Sequence, residues 1–365
     1  MDPDKVFCPN ETCPARGHIG KGNIKIHSRK EKRYRCTICG HTFSARKGTL
    51  FYRKKTPEEL ITVVITLLAH GCPVSAIVAA FGLKAETVRA WAAEAGVHCE
   101  QVHRHMVWRG ELDVKHVQAD EMRVRIQKGV MWMAMAVMVP TRLWLGGVIS
   151  AHRDKALIRR VAEMVRAAAR PGAVLVAVDG LKAYVEAFRR AFRTKVPRKG
   201  PGRPRLVPWS GVVIGQVIKQ YKRRRVVKVV RRLVQGSEEA LRRLLAESRG
   251  GQTLNTAYIE RLNGTFRSRL ASLVRRTRYG VRRQRMLQQG MYLVGTVYNF
   301  CTPHETLSRH WERPCTPAMA AGLTDHVWSV SELLHLHIPP PRWQPPKRRG
   351  RPSEKWKRFV EQWAT

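Results

Sequence analysis

Acidic residues are scarce in this chain of 365 residues: 27 aspartates and glutamates stand against 68 lysines and arginines, which gives a formal net charge of +41. Such an excess opposes compaction through self-repulsion and implies a polyanionic partner, of which nucleic acid is the usual one. A structural basic protein, such as a ribosomal or nucleoid component, is the alternative, but such chains rarely carry the carboxylate pattern described below.

The sequence also lacks any apolar run of the roughly 18 residues that a membrane helix needs. Its longest run, near Val130–Pro140, suits a buried strand better. The N-terminus has no basic-then-apolar pattern of a secretory signal, so we expect a cytoplasmic protein with no membrane partner. In a reducing cytosol, clustered members of the eight cysteines are more typical of metal ligands than of disulfides.

No internal repeat of fixed period is present, and four stretches differ in composition. Residues 1–50 hold paired cysteines, residues 56–100 have helical periodicity, and residues 112–310 alternate strand-like and helix-like segments. Residues 339–365 form a tail rich in proline and arginine, which predicts a flexible segment. We therefore expect three domains followed by a basic tail.

Two close cysteine pairs lie in the first stretch: Cys8 with Cys13, and Cys36 with Cys39. The segment between the pairs is long enough for a hairpin, so four thiolates can converge on one tetrahedral zinc ion. Because four thiolates leave no place for water, we expect a structural Zn²⁺ in a zinc ribbon. Four scattered buried cysteines are the alternative. Three histidines are lesser candidates as ligands: His18, His27 and His41.

The second stretch begins with a strong helix start, since Thr56–Glu59 combines an N-cap, a proline and two acids. Two short helices around a glycine turn are typical of a helix-turn-helix. A third helix, predicted over Ala85–Ala93, would enter the major groove. The side chains expected to face DNA there are Lys84, Thr87 and Arg89. An ordinary three-helix bundle is the alternative.

In the third stretch, the order of the predicted elements is three strands, a helix, a buried strand and a helix, which predicts an α/β layer with a mixed sheet. More strands and helices follow. The predicted strands are His116–Ile126, Val130–Val139, Leu143–Ser150, Ala173–Val178, Val212–Ile218 and Val226–Leu233. The predicted helices are Asp154–Arg170, Leu181–Phe192, Ser237–Glu247, Thr253–Leu270 and Arg282–Phe300.

Three carboxylates stand out among these elements. By alternation, Asp120 lies on the apolar face of the first strand, where an unpaired carboxylate is costly. Asp179 follows the buried strand at its carboxyl end, the edge at which sites form in α/β sheets. Glu260 lies on a late helix. Each alone has an ordinary explanation: an arginine partner, a helix cap or a solvated position. Together they suit two Mg²⁺ or Mn²⁺ ions about 4 Å apart.

Around these carboxylates the sequence resembles the zinc-ribbon DDE transposases of bacterial insertion sequences, close to the IS-one-like group. The likeness extends from Cys8 to about Leu323. Its most specific points are Ala119-Asp120-Glu121, Val178-Asp179-Gly180, Asn255-Thr256 with Ile259-Glu260-Arg261 and Asn263, and Tyr298-Asn299-Phe300 with Pro303-His304 and Leu307. A long gap from Asp179 to Glu260, containing a basic insertion near 194–236, departs from the family pattern.

This resemblance implies a ribonuclease H-like catalytic domain in which Asp120, Asp179 and Glu260 hold Mg²⁺ or Mn²⁺. The implied function is a DNA transposase that binds the ends of its element, then cleaves and transfers strands. Its partner would be double-stranded DNA in the bacterial nucleoid, on which it would act as a homo-oligomer. The alternatives are a catalytically inactive DNA-binding regulator derived from such an enzyme, and a nuclease that only hydrolyses.

Two basic segments are expected to contact DNA. The insertion near 194–236 contains no acidic residue and would line the phosphate backbone. The tail carries an Arg-Gly-Arg-Pro motif that resembles an AT-hook, whose arginines lie in a narrow minor groove. A merely solvated basic tail is the alternative. The candidate contacts are Arg203, Arg205, Arg223 and Arg224 in the insertion, and Arg349 and Arg351 in the tail.

Overall fold

The computed structural model describes residues 1–365 except 128, 198–199, 201, 224, 275–282, 347–349 and 365. The chain divides into two compact units, one of Met1–Glu58 with Leu334–Thr365 and one of Glu59–Leu333. The smaller unit therefore combines both ends of the chain.

Strands and helices alternate along most of the described chain. The strands are β1 (Ile24–Ser28), β2 (Arg33–Cys36), β3 (Thr42–Ser44), β4 (His116–Ile126), β5 (Gly129–Met138), β6 (Leu143–Ser150), β7 (Val174–Val178), β8 (Arg193–Val196), β9 (Arg205–Pro208), β10 (Val212–Lys222) and β11 (Arg225–Gln235). The helices are α1 (Glu58–Ala69), α2 (Val74–Phe81), α3 (Ala85–Val107), α4 (Lys155–Ala168), α5 (Lys182–Ala191), α6 (Glu238–Glu247), α7 (Ala257–Arg269), α8 (Gln284–Phe300), α9 (Glu305–Trp311), α10 (Pro317–Ala320), α11 (Val330–His335) and α12 (Glu354–Ala364). Short 3₁₀ turns cover Pro3–Lys5 and Ala271–Leu273.

The smaller unit is built on the antiparallel sheet β1-β2-β3. Its core contains Tyr34 and Phe43, whose rings lie 5.9 Å apart, together with the buried Trp363 of α12. Phe359 and Trp363 are four residues apart, so both lie on one face of α12 and pack on this core. The tail that was predicted to be flexible thus ends in an amphipathic helix, whose aromatic side chains pack on the apolar core of the sheet β1-β2-β3.

The larger unit contains one six-stranded mixed sheet in the order β11-β10-β7-β4-β5-β6. Strands β4, β5 and β6 pair antiparallel, β7 runs parallel to both β4 and β10, and β11 returns antiparallel along β10. This arrangement confirms the predicted mixed α/β sheet and is compatible with a ribonuclease H-like core. Every residue of β7 is buried, as expected for a parallel strand covered on both faces.

Helices cover both faces of this sheet. Helices α4 and α5 pack on one another, and α4 lies against β5 and β6. Helices α6, α7 and α8 contact the sheet at β7, β4 and β6. Side chains alternate along β4, so that Gln118 contacts the start of α7 whereas Glu121 contacts Tyr184 of α5. None of the described helices has the combined length and apolarity needed to cross a membrane.

The third predicted helix, Ala85–Ala93, is much longer in the structure, where α3 continues to Val107. The added turns bury Cys99 and Val102 and pack against α8. The two helices approach closely at Gly96, where an added Cβ would lie 2.5 Å from the carbonyl oxygen of Gln289. The extension therefore depends on a partner helix far away in the sequence, which local periodicity does not reveal.

The segment expected as a basic insertion, near 194–236, does not lie wholly outside the sheet. Its β10 pairs with β7 from Val212 to Gln216 and is buried there, so this part belongs to the core. Among the described residues of this segment, only the hairpin β8–β9 forms a separate two-stranded sheet. The outer parts of β10 and β11 are exposed.

The substitution Gly96→Ala tests the close contact between α3 and α8. Alanine favours helix formation, yet its methyl group would collide with the backbone of Gln289, so we expect a loss of about 1–3 kcal/mol in the free energy of unfolding. Thermal and urea unfolding measure this loss. The control Gly264→Ala meets no atom within 4 Å and should be neutral or stabilising by up to ~1 kcal/mol. Equal stability of the two variants would contradict the close approach.

Candidate active site

Two of the predicted carboxylates meet at one edge of the large sheet. Strand β4 pairs with β7 only from His116 to Gln118 and continues past it, which places Asp120 beside the carboxyl end of β7. Asp179 immediately follows β7. One carboxylate oxygen from each of Asp120, Glu121 and Asp179 lies within 4.8 Å of the others. The group could therefore bind a divalent cation, since hard carboxylate oxygens suit such ions.

Glu121 was not among the predicted site residues. Alternation assigns it to the same face as Arg123 and Arg125, which are exposed. At position 121, however, α5 covers this face, and the Glu121 side chain is only 1% exposed. Tyr184 donates its hydroxyl hydrogen bond to Glu121 Oε2 at 2.7 Å. The only sequence signal was the adjacency of Glu121 to Asp120, because its covering helix lies far along the chain.

Arg153 supplies a positive charge to this group. It lies just before α4, forms an ion pair with Glu121, and approaches Asp179 Oδ2 at 3.5 Å. Its guanidinium lies over the ring of Trp132, 5.3 Å from the centroid. Arg153 thereby holds two of the three carboxylates from one side and offsets part of their repulsion.

The pKa values of two of these carboxylates, Asp120 and Asp179, are raised. Burial, followed by the charge of Glu121 and the weaker effects of Asp179 and Glu260, raises the pKa of Asp120 to about 7. Burial also raises the pKa of Asp179, with Glu121 adding to the shift and Arg153 opposing it. Crowded carboxylates of this kind disfavour one another's ionised form, and a bound cation would relieve that cost. The donor set therefore fits a divalent ion.

Glu260 lies outside the group of three. It occupies the first turn of α7, where its carboxylate forms an ion pair with Lys219 of β10 and accepts a hydrogen bond from Thr256 Oγ1 at 2.6 Å. One turn further along, Asn263 donates to Asp120 Oδ2 at 2.8 Å. Helix α7 thus contacts the acidic group through the side-chain amide of Asn263. The predicted third carboxylate, Glu260, lies on the same helix but is paired with Lys219.

Gln118 connects the strand of Asp120 to the helix of Glu260. This fully buried side chain accepts hydrogen bonds from the backbone amides of Tyr258 and Ile259, at 3.0 and 3.1 Å. It also donates to the backbone oxygen of Asn255 at 2.8 Å. The first amides of a helix have no partner within the helix, so Gln118 caps α7 from a distant strand. This role of Gln118 is not predictable from the sequence, because nothing near Gln118 in the sequence signals it.

The four N-terminal cysteines also converge. Their sulfurs all lie within 4.8 Å of one another, with Cys8 Sγ 3.7 Å from Cys39 Sγ and Cys13 Sγ 3.8 Å from Cys36 Sγ. Tetrahedral coordination with Zn–S bonds of about 2.3 Å separates sulfurs by about 3.8 Å. Gly40, at φ +71°, closes the second knuckle by donating its amide to the carbonyl of Cys36 at 2.9 Å. The group could bind a zinc ion.

The lesser histidine candidates do not join this group of cysteines. Nε2 of His18 instead lies 2.8 Å from the carbonyl oxygen of Trp363. Burial raises the pKa of the Cys13 thiol to about 12, so the thiolate needs a compensating charge. A dication at the centre of the four sulfurs would supply it.

The described candidates for DNA contact are mostly exposed. Lys84 and Arg89 are exposed at the start of α3, with Thr87 half-buried between them, and Arg89 lies 3.6 Å from Glu86. Exposure is also observed for Arg203, Arg205, Arg223 and Arg351. Two further candidates, Arg224 and Arg349, lie outside the described residues. The helix-turn-helix and its contacts with DNA stay predictions.

No protein-family model and no curated protein matches the sequence. Among solved structures, the chain has a TM-score of 0.35 and 9% sequence identity with a piggyBac transposase in a synaptic complex with hairpin DNA. The match covers 80% of this chain and 76% of that one. A likeness at this level establishes neither fold nor function, so the chemistry of the site has to be inferred from the residues themselves.

The substitution Gln118→Met tests the cap on α7. It leaves the buried amides of Tyr258 and Ile259 without their acceptor, so we expect a loss of about 1–3 kcal/mol in stability. Amide hydrogen exchange should accelerate at these two residues. The control Gln284→Met removes one bond to the carbonyl of Ile149 and should leave exchange at α7 unchanged. Unaltered exchange at Tyr258 in the Gln118 variant would refute the cap.

The metal content of the purified protein tests the cysteine site. We expect about one zinc ion per chain, its loss in Cys36→Ser, and its retention in Cys72→Ser, since Cys72 lies outside the group. Elemental mass spectrometry measures the ratio. Chelation should also lower the melting temperature, because this metal would cross-link both knuckles. Freshly purified protein without zinc would rule the site out.

Proposed function

We propose that this chain is a DDE-type DNA transposase of an insertion sequence. The observation that carries the proposal is the convergence of Asp120 and Asp179 at the carboxyl edge of a mixed sheet, beside the helix of Glu260. The chain has a net charge of +41, yet several of its few carboxylates cluster at one point. Solvation of surface acids does not account for such a cluster. Metal-dependent phosphoryl transfer on DNA requires both features, a cation-binding cluster and a basic surface.

In this proposal, Asp120, Asp179 and Glu260 hold Mg²⁺ or Mn²⁺. Divalent ions there would stabilise the charge that develops on the attacking and leaving oxygens of a phosphodiester. Arg153 is held by its ion pair with Glu121 and orients Asp179 through its own contact with that carboxylate. Asn263 orients Asp120 by donating its side-chain amide to it. Gln118 fixes the start of α7, and so the position from which Glu260 acts. The protein thus contributes positioning more than covalent chemistry.

Recognition of DNA is assigned to other parts of the chain. The zinc ribbon and the helix-turn-helix, with Lys84, Thr87 and Arg89, would bind the element ends. The basic arginines of segment 194–236 and of the tail would neutralise phosphates. Attack of water on a phosphodiester at the element end would leave a 3′-hydroxyl and a 5′-phosphate. That 3′-hydroxyl would then attack a phosphodiester of target DNA, forming a new P–O bond while the 3′-hydroxyl of the cut target strand leaves. Since two ends have to be held together, we expect a homo-oligomer on DNA.

One observation favours the rival function of an inactive DNA-binding regulator. Glu260 is paired with Lys219 and does not join the acidic group, as a degenerate site would also show. A nuclease that only hydrolyses is the second rival. It is separated from a transposase by whether DNA with free 3′-hydroxyl ends becomes joined to a target.

The decisive experiment is cleavage of DNA carrying the element's own ends, in Mg²⁺ and in EDTA. We expect Mg²⁺-dependent nicking by the wild type and a loss of at least a hundredfold in Asp120→Asn and in Asp179→Asn. DNA binding in EDTA should be retained by both variants, because the change removes a metal ligand and not a cationic contact. Gel analysis of labelled duplex measures both quantities.

Asp113→Asn provides a matched control. Asp113 pairs with Arg170 near the opposite end of β4, and its loss should not reduce cleavage. Tight binding by the wild type without cleavage in Mg²⁺ or Mn²⁺ would favour the regulator. Cleavage that survives both catalytic substitutions would place the active site elsewhere.

A further inference from the structure

A basic cleft of about 740 Å³ lies between α4, α5 and the hairpin β8–β9. Five of its lining residues are cationic and one is acidic. The cations are Arg159, Arg166, Arg190, Arg193 and Lys195, and the acid is Glu163. Three alkyl side chains contribute to its lining, so the cleft combines a small apolar surface with a cationic rim.

The cleft runs along α4 from Arg159 to Arg166 and along the second half of α5, away from the acidic group and towards the ends of both helices. Helix α4 starts near Asp179, because Arg153, which precedes the helix, contacts that carboxylate. The helix ends at Ala168, whose carbonyl accepts a hydrogen bond from the amide of Leu112, ahead of β4. Helix α5 likewise starts after Asp179 and ends at Phe192, whose carbonyl accepts from Trp209, ahead of β10. Both helices therefore end at the amino edge of the parallel strands. Five residues of β7 separate the edges by roughly 15 Å.

The charge of the cleft is not neutralised within the described part of the chain. Glu163 lies 3.7 Å from Arg159, while no ion pair involves Arg190 or Lys195 among the described residues. Arg166 lies over the ring of Trp209 at 4.4 Å, and Arg193 donates to the carbonyl of Arg189, so both are held in place.

Stabilisation of helix carboxyl ends accounts for only part of this set. Arg166 and Arg190 occupy the last turns of α4 and α5, where positive charge is favourable in any protein. Arg159 lies in the first half of α4, and Lys195 lies on β8. Arg159 pairs with Glu163, whereas Lys195 has neither a helix terminus nor an ion pair among the described residues, so the excess of positive charge at this cleft indicates an anionic ligand.

We propose that this cleft binds the phosphodiester backbone of a second duplex, separate from the duplex at the acidic group. The inference rests on the proposed function, because an enzyme that joins one DNA to another holds two duplexes. The lining extends away from Asp120 and Asp179 towards the ends of α4 and α5, so a phosphate backbone held there is separate from one held at the acidic group. The exposed hairpin β8–β9 forms one wall, and two arginine-bearing helices form the other.

Bridging of two duplexes by the full-length protein tests the proposal. The protein is loaded on an immobilised duplex in EDTA, and capture of a labelled second duplex is measured across a salt series. We expect Arg190→Glu with Lys195→Glu to reduce this capture at least tenfold. Each phosphate contact contributes about 0.9 to the slope of log affinity against log salt concentration. The loss of two contacts should therefore reduce the magnitude of this slope by about two. Both residues are exposed, so the variant should fold.

The matched control carries the same charge reversal on the other face of the sheet, as Arg242→Glu with Arg243→Glu. These exposed residues belong to α6, whose Leu241 and Leu244 pack near Leu175 of β7. This control should bridge duplexes like the wild type. Equal losses in both variants, or no loss in the cleft variant, would overturn the proposal.

The outcomes separate this proposal from the proposed function. If bridging depends on the cleft but the wild type never cleaves DNA, the proposal for the cleft is supported and the proposal that the chain is a transposase is refuted. If the wild type cleaves DNA but its bridging does not depend on the cleft, only the proposal for the cleft is refuted. The neutral variant Arg190→Gln with Lys195→Gln should show a smaller loss of capture than the charge reversal, and capture equal to that of the wild type would again overturn the proposal.

Discussion

Mutual repulsion among Asp120, Glu121 and Asp179 is the constraint on which the larger unit depends. Burial raises the pKa of Asp120 and of Asp179, and the negative charge of the neighbouring Glu121 adds to both shifts. The compensating groups come from three separate elements: Arg153 before α4, Tyr184 on α5 and Asn263 on α7. The contacts that stabilise the acidic group therefore come from helices on both faces of the sheet.

Within that arrangement, the start of α7 is fixed by side chains rather than by its own sequence alone. Thr256 precedes the helix but makes no capping hydrogen bond through its side chain to the backbone, since its hydroxyl donates to Glu260 instead. The amides of Tyr258 and Ile259 are satisfied by Gln118, two residues before Asp120 on β4. One strand thus carries both a ligand of the proposed metal site and the cap that positions the opposing helix. A shift of β4 by one residue would move both to the wrong face.

Sequence patterns predicted most of the large sheet, because alternation and buried apolar runs are local properties. His116–Ile126 is predicted and observed with the same bounds, and Asp179 lies at the strand end where it was expected. Relations between distant segments could not be predicted in this way. The extension of α3 depends on α8, the burial of Glu121 depends on α5, and α12 gains its apolar cover from the N-terminal sheet. The catalytic roles of Asp120, Asp179 and Glu260 stay predictions.

The distribution of charge also constrains how a protein with the proposed function would bind DNA. An edge that gathers carboxylates repels phosphate, so without bound cations it contributes little favourable energy to DNA association. Affinity has to come from cationic surfaces elsewhere, and the excess of 68 basic over 27 acidic residues supplies them. The cleft along α4, α5 and the hairpin β8–β9 is lined mainly by cations and has the opposite charge to the carboxyl edge of the sheet. In the proposed function, DNA binding and catalysis would then depend on different surfaces of the larger unit.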